Sequence, residues 1–409
     1  MVRLLVDAAW IGGAARRGVA LTIDDGRIAA SEAIAPPGRG WFALPGFVNA
    51  HVHLELSSVR GEELAHATFA QWIADLLAAR ARRGRDGIAA AVAAGARELL
   101  STGTVAVGDV DTSGEALAVL RSTPLEGVVY RELLGLPSDA ALAELEQTLV
   151  AESRPDARAG GWRLGVSPHA PYSTGEELFR RAIEWSRRLD VPIASHVAET
   201  LEEEEFLLDP ERSQGPLARF FRDRALPRPV WSGERRRPFE LVRSLAPPAG
   251  FCVIHGNQLS AIELAHCAES RWPVVYCPRS HRYFGHRPHP APELLKRGGI
   301  LALGTDSRAS NEALDLWGEM ACFRSADRAV SDAAILEAAT AGGRRALRLQ
   351  AAELRPGEPA SFQLARARGG ARVDPARFEA AAARGELETA FVFVHGRVVV
   401  GDPAALPTH

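Results

Sequence analysis

The fold of this chain is decided by residues 45–53, which read PGFVNAHVH. A short apolar run ends there on two histidines, His51 and His53, with one residue between them. Residues i and i+2 of a strand point to the same face, so a strand ending here would present both imidazoles side by side at its carboxyl end. Two imidazoles in this arrangement supply half of a metal site.

Further polar side chains follow the same rule along the chain. His196, His255 and Asp306 each close another apolar, strand-like run. The carboxyl ends of parallel strands meet at one edge of a sheet. The repeated pattern therefore indicates a single site assembled from several strand ends.

The composition of the 409 residues is that of a globular protein, with 46% hydrophobic and 24% charged residues. A formal net charge of -3 gives no basic surface for nucleic acid or for an anionic membrane, so a small-molecule substrate is expected. The first residues lack a signal-peptide pattern, and no apolar run reaches the roughly 18 residues of a membrane helix. We predict a cytoplasmic protein, either monomeric or a homo-oligomer.

Two residue types limit the kinds of metal site. The four cysteines contain no Cys-x-x-Cys pair, which argues against structural zinc knuckles and a disulfide framework and favours buried, apolar roles. Of the 48 basic residues only Lys296 is a lysine, and it lies in a predicted helix. A carboxylated lysine that bridges two metals is therefore excluded, and one metal is expected.

The order of apolar runs predicts an α/β fold. Residues 45–349 alternate short apolar runs with longer helical patterns, typical of β/α units around a parallel sheet. The predicted strands are 42–50, 105–109, 127–132, 163–168, 191–196, 250–255, 273–277 and 300–305. Predicted helices include 69–80, 87–100, 140–150, 175–189, 262–269 and 291–297. Eight such repeats predict a TIM-type (β/α)8 barrel with its active site at the carboxyl ends of the strands.

Two regions depart from this alternation. Residues 1–44 and 350–409 read as short strands with turns, so we predict that both termini build one small composite β-sandwich. Residues 200–248 form a long insertion with an acidic run and an Arg/Pro-rich run. We expect both charged runs to be solvated surface.

Five motifs occur in an order that identifies the chain as resembling the amidohydrolase superfamily, in its chlorohydrolase and aminohydrolase branch. They are LPGFVNAHVH at 44–53, SPHAPY at 167–172, SHVAET at 195–200, IHG at 254–256 and GTDSRASN at 304–311. The resemblance covers nearly the whole chain. It implies a (β/α)8 barrel with a flanking β-sandwich, in agreement with the strand pattern.

The resemblance implies a metal site built from His51, His53, His196 and Asp306. A set of three histidines and one aspartate leaves a coordination position for water, as catalytic zinc sites do. Imidazole-rich ligation also suits Fe²⁺ or Ni²⁺, so one divalent ion is expected, with Zn²⁺ first.

The resemblance also assigns acid–base roles. Glu199, three residues after His196, is the implied proton shuttle, and His255 contacts the activated water or the substrate. Expelling ammonia requires a proton donor, which supports the role of Glu199, although an exposed glutamate at a helix start is the alternative. Asp306 has a second possible role as proton acceptor. His169 is either a substrate contact or a core histidine.

Loops after the strands carry the substrate prediction. Glu55 precedes an aromatic helical segment at 69–73, which suits a cover over an uncharged ring or packed core. The run CPRSH at 277–281 is similar to aminodeoxyfutalosine deaminases, whose substrate joins an adenine to a carboxylated aromatic tail. Arginine suits a carboxylate, so Arg279 and His281 are predicted substrate contacts, with a solvated Arg/His loop as the alternative.

These observations favour a metal-dependent aminohydrolase that deaminates an aminopurine nucleoside derivative, with aminodeoxyfutalosine as a candidate substrate. A chlorohydrolase or amide hydrolase acting on a small heterocycle would use the same activated water. A non-catalytic scaffold of this fold is a third reading. The complete ligand set together with Glu199 argues against the scaffold.

Overall fold

The computed structural model describes the whole chain except residues 65–66, 83, 155–159, 210–212, 233–234 and 409. Strands lie at both ends of the chain and alternate with helices in between. Within the described residues the strands are β1 (Val2–Ile11), β2 (Ala14–Asp24), β3 (Arg27–Ala33), β4 (Phe42–Pro45), β5 (Phe47–Val52), β6 (Thr104–Asp111), β7 (Glu126–Leu133), β8 (Trp162–Pro168), β9 (Ala194–Val197), β10 (Cys252–His255), β11 (Val274–Tyr276), β12 (Leu301–Leu303), β13 (Phe362–Ala367), β14 (Leu387–Val394) and β15 (Arg397–Val400).

The helices confirm the six predicted segments with small shifts at their ends. In the same described residues they are α1 (Phe69–Ala81), α2 (Arg85–Ser101), α3 (Ala116–Leu120), α4 (Asp139–Glu152), α5 (Glu176–Leu189), α6 (Leu201–Leu208), α7 (Pro216–Asp223), α8 (Pro238–Ser244), α9 (Ala261–Glu269), α10 (Pro278–Tyr283), α11 (Ala291–Lys296), α12 (Leu316–Ala326), α13 (Asp332–Ala339), α14 (Ala341–Ala346) and α15 (Phe378–Ala383). None of these helices is long and apolar enough to cross a membrane.

Strands from both ends of the chain form one seven-stranded sheet, in the order β15-β14-β13-β4-β1-β2-β3. β4 links the two halves, because it pairs in parallel with β1 and antiparallel with β13. Phe362 and Phe393 stack on this sheet with ring centres 4.3 Å apart. The predicted joining of the termini is present. The two facing layers of a sandwich stay a prediction, because these strands hydrogen-bond as a single sheet.

The predicted continuous strand at residues 42–50 is wrong, because the chain changes sheets at Gly46. The amide of Gly46 donates to the carbonyl of Ser361 at 3.2 Å, within the terminal sheet. The next amide, that of Phe47, donates to Gly103 at 2.9 Å and starts β5 in a different sheet. A side chain at position 46 would collide with Val105. Glycine therefore permits the close approach that the crossing requires.

The middle of the chain supplies two parallel four-stranded sheets, β5-β6-β7-β8 and β12-β11-β10-β9. Together they contain the eight predicted strand segments with shifted ends. An isolated parallel bridge pairs Val52 with Asp306 at one junction of the two sheets, and another pairs Val166 with Ile193 at the other. The carboxyl ends of these strands consequently lie together, and the predicted site residues lie at those ends.

The insertion at residues 200–248 contains α6, α7 and α8 and is less solvated than expected. Glu203, within the acidic run, is fully buried, and its Oε2 accepts a hydrogen bond from the amide of Glu199 at 2.8 Å. Glu202 accepts from the amides of Phe69 and Ala70 at 2.8 and 3.1 Å, so it caps α1. The solvated-surface prediction is wrong for these two glutamates. The four cysteines are free and buried, as predicted.

Candidate metal and catalytic site

Three predicted ligands meet where β5 and β9 end. The ring centre of His51 lies 4.8 Å from that of His53 and 4.9 Å from that of His196. One ring nitrogen from each histidine lies within 4.8 Å of the others. The alternation of side chains in β5 places His51 and His53 on the same side, as the i and i+2 rule predicts.

The fourth predicted ligand, Asp306, follows β12 and faces the histidines. Its Oδ1 lies 3.7 Å from Nε2 of His51 and 3.9 Å from Nε2 of His53. Its Oδ2 accepts hydrogen bonds from the hydroxyls of Ser280 at 2.7 Å and Ser310 at 2.9 Å. Burial acts to raise the pKa of Asp306, but the interactions with His51, His255 and His53 outweigh it and lower the pKa. Asp306 is therefore an anchored carboxylate.

The surroundings of the histidines fit a divalent cation. His51 is fully buried, and neither ring nitrogen has a hydrogen-bond partner in the described part of the chain. Nδ1 of His196 lies 3.1 Å from the carbonyl of His169, which leaves Nε2 as its ligand atom. Burial lowers the pKa of His53 to about 4 and that of His196 well below the ordinary value. Neutral rings with available lone pairs, beside an ionised carboxylate, are the donor set of a catalytic zinc site.

Glu199 and His255 form a contact pair beside these ligands. Oε1 of Glu199 lies 3.4 Å from Nε2 of His255, and both side chains are buried. Burial raises the pKa of Glu199 well above its ordinary value, with a further contribution from Asp306, and burial lowers the pKa of His255 well below its ordinary value. A protonated carboxyl next to a neutral imidazole suits acid–base work.

The backbone at the site is held in an uncommon conformation. His255 and Asp306 have φ angles of 66° and 56°, in the left-handed region that non-glycine residues seldom adopt. The carbonyl of His255 is fixed by Nε2 of His289 at 2.9 Å, and Nδ1 of His289 accepts from the amide of Ala291 at 3.0 Å. Such strained positions concentrate at functional sites, where neighbouring bonds maintain them.

His169 lies at the edge of the ligand set rather than in the core. Its Nδ1 is 2.5 Å from the hydroxyl of Ser173, and its Nε2 is 4.0 Å from Oε1 of Glu132. Glu132, His169 and His196 form a second group of donor atoms. Because His196 has only Nε2 available, it cannot serve both groups, and the set with His51 and His53 is the more complete.

A cavity of about 390 Å³ opens over these residues. Its floor includes His53, His169, His196, Glu199, His255 and Asp306. Its walls are largely apolar and include the aromatic rings of Phe69 and Trp72 from α1 and of Phe220 and Phe221 from α7. The predicted segment at 69–73 thus does cover the site, and α7 of the insertion completes the wall. Such a lining suits a planar ring.

Glu55 also lines this cavity, as the substrate prediction requires. Its Oε1 lies 3.1 Å from Nη2 of Arg80, and its Oε2 accepts from the amide of Ser113 at 3.1 Å. Burial raises the pKa of Glu55 despite the opposing charge of Arg80. Arg80 is the one arginine that lines the cavity within the described residues. Its guanidinium group places a positive charge at the cavity wall, paired with Glu55.

Arg279 and His281, the predicted substrate contacts, are not among the described residues that line this cavity. Both belong to α10, where successive residues point about 100° apart, so one of three neighbours faces the site. That residue is Ser280, which donates to Asp306. Arg279 packs against the backbone at Gly318, and His281 packs edge-on against Tyr276 at 5.4 Å. Contact of these two residues with the substrate stays a prediction, which their placement does not support.

Two cavity residues escaped the sequence analysis. Arg80 follows Phe69, Ile73 and Leu76 at helical spacings of eleven, seven and four, so the periodicity of the predicted helix could have placed it on the cavity face. Glu132 ends a predicted strand, as the metal ligands do. The rule that strand ends meet at one edge selects Glu132 as well as the histidines and Asp306.

The sequence model described as "Amidohydrolase family" matches residues 42–399. A 5-methylthioadenosine/S-adenosylhomocysteine deaminase of Halobacterium salinarum is 30% identical over 340 residues, which cover 79% of this chain and 72% of the relative. An aminodeoxyfutalosine deaminase of Deinococcus radiodurans is 30% identical over 339 residues, covering 78% of this chain and 76% of the relative.

Solved structures share the fold over nearly the whole chain. An adenosine deaminase of Xanthomonas campestris with bound zinc has a TM-score of 0.80 at 22% identity, covering 98% of this chain and 92% of its own. Aminofutalosine deaminase of Helicobacter pylori, in complex with methylthio-coformycin, has a TM-score of 0.83 at 19% identity, covering 98% and 100%. Atrazine chlorohydrolase of Arthrobacter aurescens with zinc has a TM-score of 0.77 at 18% identity, covering 97% and 94%.

Proposed function

Because this chain belongs to the amidohydrolase family, we propose that it is a metal-dependent aminohydrolase that deaminates an adenine-type nucleoside and releases ammonia. The observation that carries the proposal is the 3.4 Å contact between Glu199 and His255 beside the histidine and aspartate set. A scaffold without activity would have no need to bury a protonated carboxyl at this place.

We propose one divalent ion per chain, held by His51, His53, His196 and Asp306. Zinc is the first choice, because the adenosine deaminase and the atrazine chlorohydrolase named above contain it. Fe²⁺ or Ni²⁺ would also suit these ligands. When bound, the ion would supply the positive charge that activates water as a nucleophile near neutral pH. The single lysine, Lys296, is 71% exposed on α11, which supports a site without a bridging carbamate.

The side chains then account for every proton. Water supplies the new oxygen on the ring carbon, and its two protons end on the ring nitrogen and on the departing amine. Glu199 starts protonated, gives its proton to the ring nitrogen and recovers one from water. Asp306 accepts the second proton from water and passes it to the departing amine, so that both carboxyl groups return to their starting states. Neutral His255 orients the water through Nε2.

We propose that the nucleoside carries a carboxylated aromatic group, as aminodeoxyfutalosine does. The Deinococcus relative supports this choice. The aromatic wall would accept the rings, and Arg80 would face the carboxylate in place of Arg279. Glu55 and His169 line the same cavity and would contact the nucleoside, with Glu132 beside them.

We also propose that the two parallel sheets close into a (β/α)8 barrel at residues 45–349, with residues 1–44 and 350–409 as a second unit. The bridges between Val52 and Asp306 and between Val166 and Ile193 support closure at both junctions. A cytoplasmic location and a homo-oligomer stay predictions.

The test is ammonia release by metal-quantified protein on a panel of adenosine, 5′-methylthioadenosine, S-adenosylhomocysteine and aminodeoxyfutalosine. We expect ammonia with each accepted nucleoside and the fastest release with aminodeoxyfutalosine. Chlorinated and amide-bearing triazines test the alternative hydrolases. Chloride release without ammonia would replace the deaminase assignment, and inactivity on the whole panel at full metal content would favour the scaffold.

A further inference from the structure

A second cavity, of about 540 Å³, lies on the other side of the loop that follows Asp306. Four arginines line it, Arg60, Arg279, Arg282 and Arg308, together with the acids Glu62 and Glu312. We call it the arginine cavity. Arg279 belongs to the run at 277–281 that was predicted to contact the substrate, and Arg282 follows that run. The aminohydrolase site leaves these arginines without a role.

The arginines of this cavity carry positive charge that the protein compensates only in part. Arg308 pairs with Glu98 at 2.6 Å, and Arg282 lies 3.7 Å from the exposed Glu312. Nη1 of Arg60, Nη1 of Arg279 and Nε of Arg308 are buried without a hydrogen-bond partner in the described residues. Buried charged donors without partners are costly, so these guanidinium groups lack acceptors that would compensate their charge.

The remaining polar groups of the wall leave the guanidinium groups as the available donors. The hydroxyl of Ser310 donates to Asp306 at 2.9 Å, and that of Tyr283 donates to the carbonyl of Gly61 at 2.9 Å. Glu319 accepts from the backbone amide of Arg279 at 2.9 Å rather than from its guanidinium group. Asp315 also lies close enough to Arg279 to interact electrostatically with it, and it is the further acid on that side.

We propose that the arginine cavity binds an oxyanion with two or more negative charges, such as the phosphate group of a small metabolite. The planar guanidinium fork matches the oxygens of phosphate and carboxylate. One singly charged carboxylate would satisfy one fork, whereas four guanidinium groups line one cavity, which favours a multiply charged ligand. This site is separate from the deaminase cavity, and the inference does not rest on the proposed function.

The test is calorimetric titration of the zinc-loaded full chain with inorganic phosphate at constant ionic strength. We expect one phosphate per chain. Arg60→Met and Arg279→Met should each weaken binding by about tenfold or more, the usual size of one charged hydrogen bond, and the double variant should not bind. Arg366→Met is the matched control, because Arg366 lies on β13 and pairs with Glu388 at 3.5 Å. It should bind phosphate like the unaltered chain.

Binding of phosphate, acetate and citrate also gives results that could refute the proposal. Unchanged phosphate affinity in both single variants would place the anion elsewhere, for example at the metal centre, and would overturn it. Acetate binding as tight as phosphate would overturn the requirement for several charges. Titration with citrate distinguishes the two kinds of oxyanion. Citrate binding that depends on the arginines and is tighter than phosphate binding would indicate that the ligand is a polycarboxylate, within the same class of multiply charged oxyanions. If either variant unfolds at a lower temperature than the unaltered chain, Arg282→Met replaces it, because the side chain of Arg282 is 61% exposed. The same loss of phosphate binding is expected.

Discussion

At the scale of single residues, Glu199 is the proposed proton shuttle. Glu199→Gln preserves size and leaves the four metal ligands in place but removes the titrating group. We expect turnover to fall by about 10² to 10⁴, the usual contribution of positioned acid–base catalysis, with metal content unchanged. Glu177→Gln, at an exposed position of α5, serves as the matched control and should leave turnover unaffected. Undiminished ammonia release by Glu199→Gln would transfer the shuttle to His255 or Asp306.

In the same cavity, Arg80 is the proposed contact for a carboxylate of the substrate. Arg80→Met should weaken binding of a carboxylated aminopurine nucleoside by about 1.5 to 3 kcal/mol, the range for a charged hydrogen bond. Adenosine, which lacks the carboxylate, should bind as before. The readout is KM for both substrates.

Two controls separate this effect from the ion pair with Glu55. Glu55→Gln removes the partner of Arg80 and keeps the cation, so affinity for the carboxylate should not fall. Arg279→Met should leave both KM values unchanged, because Arg279 does not line the cavity. Equal losses for both substrates in Arg80→Met would indicate a structural role for the arginine.

The sequence could predict the residues whose place follows from strand geometry alone. His51, His53, His196, His255 and Asp306 end strands, and parallel strands bring their carboxyl ends together, so position along the chain determines position in space. Strand geometry does not place Arg279, because this residue follows a strand inside a helical turn. Which of residues 279–281 faces the metal depends on the packing of α10 on its neighbours, and that information is not local.

At the scale of elements, α6 fixes α1 over the cavity. Glu202 of α6 accepts from the first two amides of α1, which a helix leaves unpaired at its start. Glu202→Ala should cost about 0.5 to 2 kcal/mol, as for the loss of an N-cap, and should speed amide exchange in α1. Hydrogen exchange read by mass spectrometry checks this.

Glu204→Ala is the control for that experiment. Glu204 lies on the same helix but pairs with Arg237, so its loss should leave exchange in α1 as it was. Faster exchange of α1 in both variants would mean that α6 unfolds as a whole. The acidic run looked like solvated surface because four successive glutamates rarely have buried partners. Only the position of α1 against α6 gives Glu202 its role.

The segment between α10 and α11 contributes a pH-dependent stability through His289. Burial lowers the pKa of His289 from 6.5 to about 3, so the folded chain keeps this ring neutral while the unfolded chain protonates it. Its contribution is complete above pH 6.5 and is lost as the pH falls towards 3. Between pH 7 and 5 the unaltered chain should lose about 2 kcal/mol more free energy of unfolding than His289→Gln.

Urea unfolding of both proteins at several pH values measures that difference. The other buried histidines are present in both chains, so their effect cancels in the comparison. Parallel stability curves would show that His289 does not titrate on unfolding. The glutamine amide can replace both hydrogen bonds of the imidazole, which makes the comparison a test of charge rather than of contacts.

At the scale of the whole molecule, the alternation of strands and helices predicted the parallel sheets well, because each β/α unit is encoded within a few tens of residues. The terminal sheet was predicted only in outline. β4 pairs with β1 and β13, and the partner of Phe42 in β13 lies more than three hundred residues away. The chain crosses from the terminal sheet to the parallel sheet of β5 at the single residue Gly46. No local pattern distinguishes this crossing from a strand that continues.

The most direct test of the account is a titration of metal-free protein with zinc while ammonia release from an adenine-type nucleoside is followed. Because we propose that His51, His53, His196 and Asp306 hold a single ion, activity should rise linearly and stop rising at one equivalent of zinc per chain. Asp306→Ala should neither retain zinc nor release ammonia. Ammonia release without metal, a plateau at two equivalents, or no ammonia at one bound zinc per chain would contradict the account.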